Sequence, residues 1–269
     1  DGFFGHPSVC RKTIRTTEDL AELGSVGAEH PWITKQVEYV KEICDYCGND
    51  VYKYYNIFSP LQYIRLRFEE YDEDFRKFVR LFHESPETMV KAAKCIAEDT
   101  KCLVRRLFEE SSVDGIYYSV QCVQDKLMTH EGHRKLVEPL DLDVLQYINR
   151  FSDRTILHIC GYGKYTNHLS RYKDYPVKAY NWAVYSEGIG LAEGKKLLNE
   201  KPVLGGFDNA EGSILYTGSE EELREEIRRI LDEAGTKGVA IGADCTISSE
   251  VTAERLELIR RLVSEYHKS

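Results

Sequence analysis

With 269 residues the chain is long enough to bury a substantial core, and a single α/β barrel of about 250 residues is ordinary at this length. Its formal net charge of -9, from 36 Lys and Arg against 45 Asp and Glu, leaves no concentrated basic face and argues against a nucleic-acid partner. Its longest apolar runs are strand-sized, far below the roughly 20 residues that span a bilayer, which predicts a soluble protein with no membrane partner.

In chain order, the stretch from Thr16 to Asp45 reads as helical, with Thr17 as the cap before Glu18-Asp19-Leu20. Pro31 breaks it, and Trp32 to Cys44 follows as a second helix. The C-x-x-C spacing of Cys44 and Cys47 has no second pair to complete a metal knuckle and reads as structural. Val51 to Ile57 is the first strand candidate. Phe68, Tyr71, Phe75 and Phe78 then fall at roughly helical spacing in a charged segment, Arg65 to Arg80, and predict core packing.

From there short apolar runs alternate with longer amphipathic segments, the pattern of repeated βα units around a parallel sheet. The helices are Pro86 to Glu110, Leu140 to Phe151, Gly190 to Glu200, Glu220 to Ala234 and Val251 to Tyr266. The strands are Gly115 to Ser119, Thr155 to Cys160, Val177 to Trp182, Pro202 to Phe207 and Gly238 to Ala243. His130-Glu-Gly-His133 lacks the i, i+4 spacing of a helical zinc motif and reads as a loop. Glu220 to Ala234 shows the local logic. Ser219 caps it, three Glu residues complement its dipole, Leu223, Ile227, Ile230 and Leu231 form a 3.6-residue stripe, and Gly235 ends it.

Six strands are two short of the eight in a (β/α)8 barrel. No linker or repeat divides residues 1–269, so the expected architecture is one α/β, TIM-type barrel domain with about six βα units, incomplete at the amino terminus, its first units lying before Asp1. Eight cysteines are too few for a disulfide scaffold and sit inside periodic segments, which predicts reduced thiols and a cytoplasmic location.

The chemistry-bearing signal is His158-Ile-Cys160 at the end of one apolar run, answered by Cys245 at the end of another. A neutral imidazole and two thiolates suit zinc and leave one position open, as catalytic zinc sites do. Side chains alternate along a strand, so His158 and Cys160 share a face while Leu157 and Ile159 point the other way. Both runs end at the carboxyl-terminal mouth, where the loops of a parallel barrel gather chemistry. Cys is also a common small core residue, so a chance cluster is the plain alternative.

Other residues at strand ends carry two readings each. Ser119 could touch substrate at the mouth, with Tyr117 and Tyr118 as packing. Asp208 and Asn209 could orient a ligand or structure the turn after their strand. Trp182 walls either the pocket or the core, and Gly161 opens a Gly161-Tyr-Gly163 turn that is weak support for cofactor binding. Glu187, Asp208 and Asp244 are the candidates for a fourth metal ligand.

The runs His158-Ile-Cys-Gly161, Val203-Leu-Gly-Gly-Phe-Asp-Asn209 and Ile241-Gly-Ala-Asp-Cys-Thr-Ile247 resemble the uroporphyrinogen decarboxylase superfamily. So do Phe58-Ser-Pro60, Phe82-His-Glu-Ser-Pro86 and Gly115-Ile-Tyr-Tyr-Ser-Val-Gln121, in the same order along nearly the whole chain. The resemblance implies a TIM-type barrel and either of two chemistries. True decarboxylases bind a carboxylated tetrapyrrole without metal and keep a His where this chain has Cys245, and their catalytic Tyr is replaced here by His83. The methylcobamide:thiol methyltransferase branch, of the coenzyme M type, carries His-x-Cys and a distant Cys as zinc ligands, matched by His158, Cys160 and Cys245.

That branch implies Zn2+ as cofactor and methyl transfer between a corrinoid and a small-molecule thiol. No Asp-x-His-x-x-Gly signature occurs in the chain, so the corrinoid would come on a partner protein. Tetrapyrrole decarboxylation is the alternative, and a non-catalytic metal- or corrinoid-binding component of a methyl-transfer system is the third reading.

Overall fold

The computed structural model describes residues 14, 16–69, 76–120, 128–161 and 166–266. The chain forms two compact units, Asp1–Asp114 with Thr129–Phe151, and Gly115–Met128 with Ser152–Ser269.

The first unit is organised around one long helix. α1 (Thr17–Ala21) and α2 (Pro31–Cys47) precede strand β1 (Tyr54–Phe58), and α3 (Pro60–Glu69) and α4 (Arg76–Glu84) lead to α5 (Pro86–Glu110). Pro86 sits in the first turn of α5, where its missing N–H costs nothing. Met89, Ala92, Ala93, Ala97, Leu103, Val104 and Leu107 form the buried stripe of α5. Leu103 and Leu107 pack with Ile33, Val37 and Cys44 of α2. Of the expected aromatic stripe, Phe78 is buried with its ring 6.1 Å from Phe82, while Tyr71 and Phe75 lie outside the described residues.

Two local expectations are corrected here. The cap of α1 is Thr16, one residue earlier than Thr17, because only that register puts an acid at the third helical position. Asp19 accepts from the Thr16 N–H at 3.0 Å while Thr16 Oγ1 accepts from the Asp19 N–H at 3.4 Å, a reciprocal box that Leu20 could not close for Thr17. His130-Glu-Gly-His133 is not a loop either. Thr129 Oγ1 accepts from the Gly132 N–H and starts α6 (His130–Gly132), which passes through a π-turn, His133–Val137, into α7 (Glu138–Ile148).

The second unit is an α/β sheet. β2 (Gly115–Val120), β3 (Ile156–Ile159), β4 (Ala179–Trp182), β5 (Val203–Phe207) and β6 (Val239–Ala243) pair in sequence order, every pair parallel. One register row crosses all five strands: Ser119, His158, Asn181, Leu204 and Ala240. In a parallel sheet such a row presents its side chains to one face, so the register places Ser119, His158 and Asn181 side by side. Among the described residues β6 pairs with β5 alone, and the sheet is open there.

Helices cover the opposite face. α8 (Val184–Glu187), α9 (Leu191–Leu197) and α10 (Ile214–Thr217) are short, whereas α11 (Glu220–Ala234) and α12 (Ala253–Ser264) supply most of the apolar layer. Leu223, Ile227 and Leu231 of α11 cluster with Ile259 and Leu262 of α12 against Phe207, Ile241 and Ala243. Ser219 and Glu222 form the box that starts α11, and Gly235 ends it, both at the expected residues. No described helix is long and apolar enough to cross a membrane.

Trp182 follows Asn181 by one residue and therefore faces the helices. It is fully buried, its Nε1–H donates to the Ile189 carbonyl at 2.9 Å, and its ring lies against Gly194 of α9 so closely that a Cβ there would fall 2.2 Å from Cζ2. A flat, wedged indole cannot retreat, so Gly194→Ala is expected to destabilise the chain by about 2 kcal/mol, read as a lower urea midpoint with an unchanged slope.

Candidate metal centre

The carboxyl ends of β3 and β6 bring His158, Cys160 and Cys245 together. Their ligand atoms all lie within 4.8 Å of one another, and no other described residue joins a group of this kind. Cys160 Sγ is 3.8 Å from Cys245 Sγ, and Cys245 Sγ is 3.4 Å from His158 Nε2. Zinc bonds of about 2.3 Å to sulfur and about 2.0 Å to nitrogen, at tetrahedral angles, set edges of roughly 3.8 Å and 3.5 Å. Two of the three edges, Cys160–Cys245 and Cys245–His158, thus match zinc in spacing, and the donor types suit it. His158 and Cys160 are buried and Cys245 is half-buried.

A ligand histidine must offer a lone pair on one nitrogen and hold its proton on the other. Here that choice is made by Asn181. Its Nδ2 donates to the carbonyls of Leu204 at 2.8 Å and Ala243 at 3.3 Å, which turns Oδ1 toward β2 and β3. There Oδ1 accepts from Tyr117 Oη at 2.6 Å and meets His158 Nδ1. Because that oxygen can only accept, Nδ1 carries the hydrogen and the Nε2 lone pair points toward Cys245.

Tyr117 also stacks on the imidazole, with centroids 5.4 Å apart and planes inclined by 25°. Burial, then the sulfurs of Cys245 and Cys160, raise its phenol pKa, so it stays a neutral donor to Asn181. Cys245 moves the opposite way. The hydrogen bond from Cys160 holds its thiol below the usual range, helped by His158 and opposed by burial, and this thiolate-favouring setting is the one a metal ligand needs.

A family model described as uroporphyrinogen decarboxylase (URO-D) matches residues 5–266, which is nearly the whole chain. The chain belongs to the uroporphyrinogen decarboxylase family. A search of the curated proteins finds no match.

The remaining expected residues of this family member distribute unevenly. Ser119 stands next to His158 in the register row, is buried, and its Oγ makes no hydrogen bond among the described residues. Gly161 follows Cys160 directly and is buried at the edge of the described segment. Glu187 is not among the mutually close donor atoms, and its carboxylate accepts from the backbone N–H and the side-chain amide of Asn167, both at 2.7 Å. Asp208 Oδ1 accepts from the Ala210 N–H at 2.9 Å, and Asn209 Nδ2 donates to the Thr246 carbonyl at 3.0 Å. Both bonds tie down the loops after β5 and β6. Trp182 faces the helices and not the ligand group. His83 belongs to the first unit, exposed on the last turn of α4 with its ring edge-on to Phe82.

Asp244 adjoins Cys245 and is buried. Burial pushes its carboxyl up to about 7, with Asp208 and Cys245 adding to the effect and the N–H groups of Tyr185 and Gly206 opposing it. Its Oδ2 accepts from the Tyr185 N–H at 3.0 Å and so fixes the turn after β4 to the turn that carries Cys245.

Asn181 was the residue that strand patterning missed, although one sign was present: a carboxamide in the apolar run Ala-Tyr-Asn-Trp must find partners if buried. Asn181→Leu removes the acceptor that holds the His158 tautomer, and zinc affinity is expected to fall about 10- to 100-fold. Competition against a chromophoric chelator measures that loss directly.

Proposed function

We propose that this family member is a zinc-dependent methyltransferase that moves a methyl group between a corrinoid carried by a partner protein and a small-molecule thiol. The observation that carries the reading is the pair of cysteine sulfurs and one imidazole nitrogen at zinc-ligand spacing, with His158 held in the ligating tautomer. Three protein ligands are the number found where zinc keeps a position for substrate.

His158, Cys160 and Cys245 would hold the metal, and zinc in that position supplies the charge that keeps a bound thiol deprotonated near neutral pH. The chain's own part is orientation and exclusion of water. Asn181 and Tyr117 fix the imidazole plane, and Tyr117 covers one face of that ring. Ser119, alongside His158, offers an unused hydroxyl to the polar portion of a ligand.

The family's name suggests decarboxylation of a tetrapyrrole as the second reading. A substrate of that kind brings several carboxylates, which need cationic partners. The register row in the second unit instead presents Ser119, His158, Asn181, Leu204 and Ala240, with no Lys or Arg.

Purified protein is expected to contain about one zinc per chain by elemental analysis, with a loss of at least tenfold in affinity in Cys160→Ser and in Cys245→Ser. Chelation should abolish methyl transfer from methylcobalamin to a panel of small thiols, and added zinc should restore it. Metal-free protein that turns over uroporphyrinogen would reverse the ranking. For Ser119→Ala the thermal midpoint should stay within about 2 °C, since no hydrogen bond among the described residues is lost, while kcat/KM for the thiol falls about tenfold, the value of one lost ligand contact.

A further inference from the structure

The same two sulfurs that suit a metal also stand within reach of each other. Cys160 Sγ and Cys245 Sγ are 3.8 Å apart, on segments separated by 85 positions, and no backbone hydrogen bond ties the Cys245 N–H among those described. A disulfide needs a sulfur separation of about 2 Å, a closure that side-chain rotation at the half-buried Cys245 can supply. Their accessibility is unequal. Cys160 is 2 % exposed, whereas Cys245 is half-buried.

We infer that Cys160 and Cys245 form a reversible disulfide under peroxide, making the metal centre a redox-controlled site. In the first step the Cys245 sulfur attacks one oxygen of hydrogen peroxide. An S–O bond forms, the O–O bond breaks, and the departing oxygen leaves as water after taking up a proton, giving a sulfenic acid. In the second step the Cys160 sulfur attacks that sulfenic sulfur. The S–S bond forms, the S–O bond breaks, and a second water leaves with the Cys160 proton. Two thiols thereby lose two electrons and two protons, and one peroxide becomes two waters.

Both sulfurs of the ligand set are consumed, so oxidation removes the site and not merely one contact within it. Cys160 is the resolving partner because its burial keeps it from peroxide while leaving it next to Cys245. The release of zinc rests on the functional reading above, whereas the disulfide rests only on the sulfur geometry.

The test treats the full chain, zinc-loaded as purified, with stoichiometric hydrogen peroxide and follows zinc with a colorimetric indicator, thiols by alkylation and products by mass spectrometry. The expected result is an intact mass lower by about 2 Da, the two hydrogens lost in disulfide formation, with a Cys160–Cys245 cross-linked peptide. Zinc should leave with the same time course, and dithiothreitol should restore both thiols and zinc binding. In Cys160→Ser the resolving sulfur is gone, and Cys245 should accumulate as a sulfenic acid trapped by a cyclic dione. Oxygen added at Cys44, Cys47, Cys95 or Cys102 while Cys160 and Cys245 still alkylate would overturn the inference, as would sulfinic acid on Cys245 of the unaltered chain with no cross-link. A disulfide in protein that never held zinc upholds the redox pair and defeats the zinc reading. Zinc-loaded protein that resists cross-linking does the reverse.

Discussion

The carboxamide of Asn181 is the point at which the sheet and the candidate site become one object. It spends its two hydrogens on main-chain carbonyls at β5 and β6 and its oxygen on Tyr117 and His158, so a single buried side chain ties its own strand to four others. Each of those groups would otherwise be a polar atom away from water, and each missing bond costs on the order of 1 to 3 kcal/mol. A slip of β4 by one residue would exchange Asn181 for Trp182 and lose all of them together. Strand register and histidine tautomer are therefore the same constraint viewed at two scales.

Alternation across the sheet divides the labour of each strand. On β3, His158 faces the polar row and Leu157 and Ile159 are buried among apolar neighbours; on β4, Asn181 faces the row and Trp182 wedges against α9. On β6, Ile241 and Ala243 pack with α11 and α12 while the chain beyond them delivers Asp244 and Cys245. The apolar half of each strand holds the sheet against its helices, and that packing sets where the strand ends bearing the donor residues lie.

Much of the architecture is legible in the sequence alone. α5 and α11 begin and end at the expected residues because their signals are local: Pro86 in a first turn, the Ser219 and Glu222 box, Gly235 past the end. The strands lie within a few residues of their apolar runs for the same reason. What local signals misjudged was equally local in cause. At α1 two adjacent threonines competed for the cap and the reach of Asp19 decided between them. At His130, Thr129 started a helix that a glycine two residues later had argued against.

By itself the sequence determined the alternation of strands and helices and the residue types able to ligate a metal, because each of these follows from composition and spacing along a short stretch, and its likeness along nearly the whole chain placed it in its family. Only the tertiary structure decided which of those residues meet. His158 and Cys160 could be assigned to one face by a period of two, but Cys245 reaches them through the register of three intervening strand pairs. Glu187, equally plausible by type, lies outside the close donor group and accepts from Asn167. Distances between segments far apart in the chain depend on how whole strands pair and how helices pack behind them, and no local pattern carries that information.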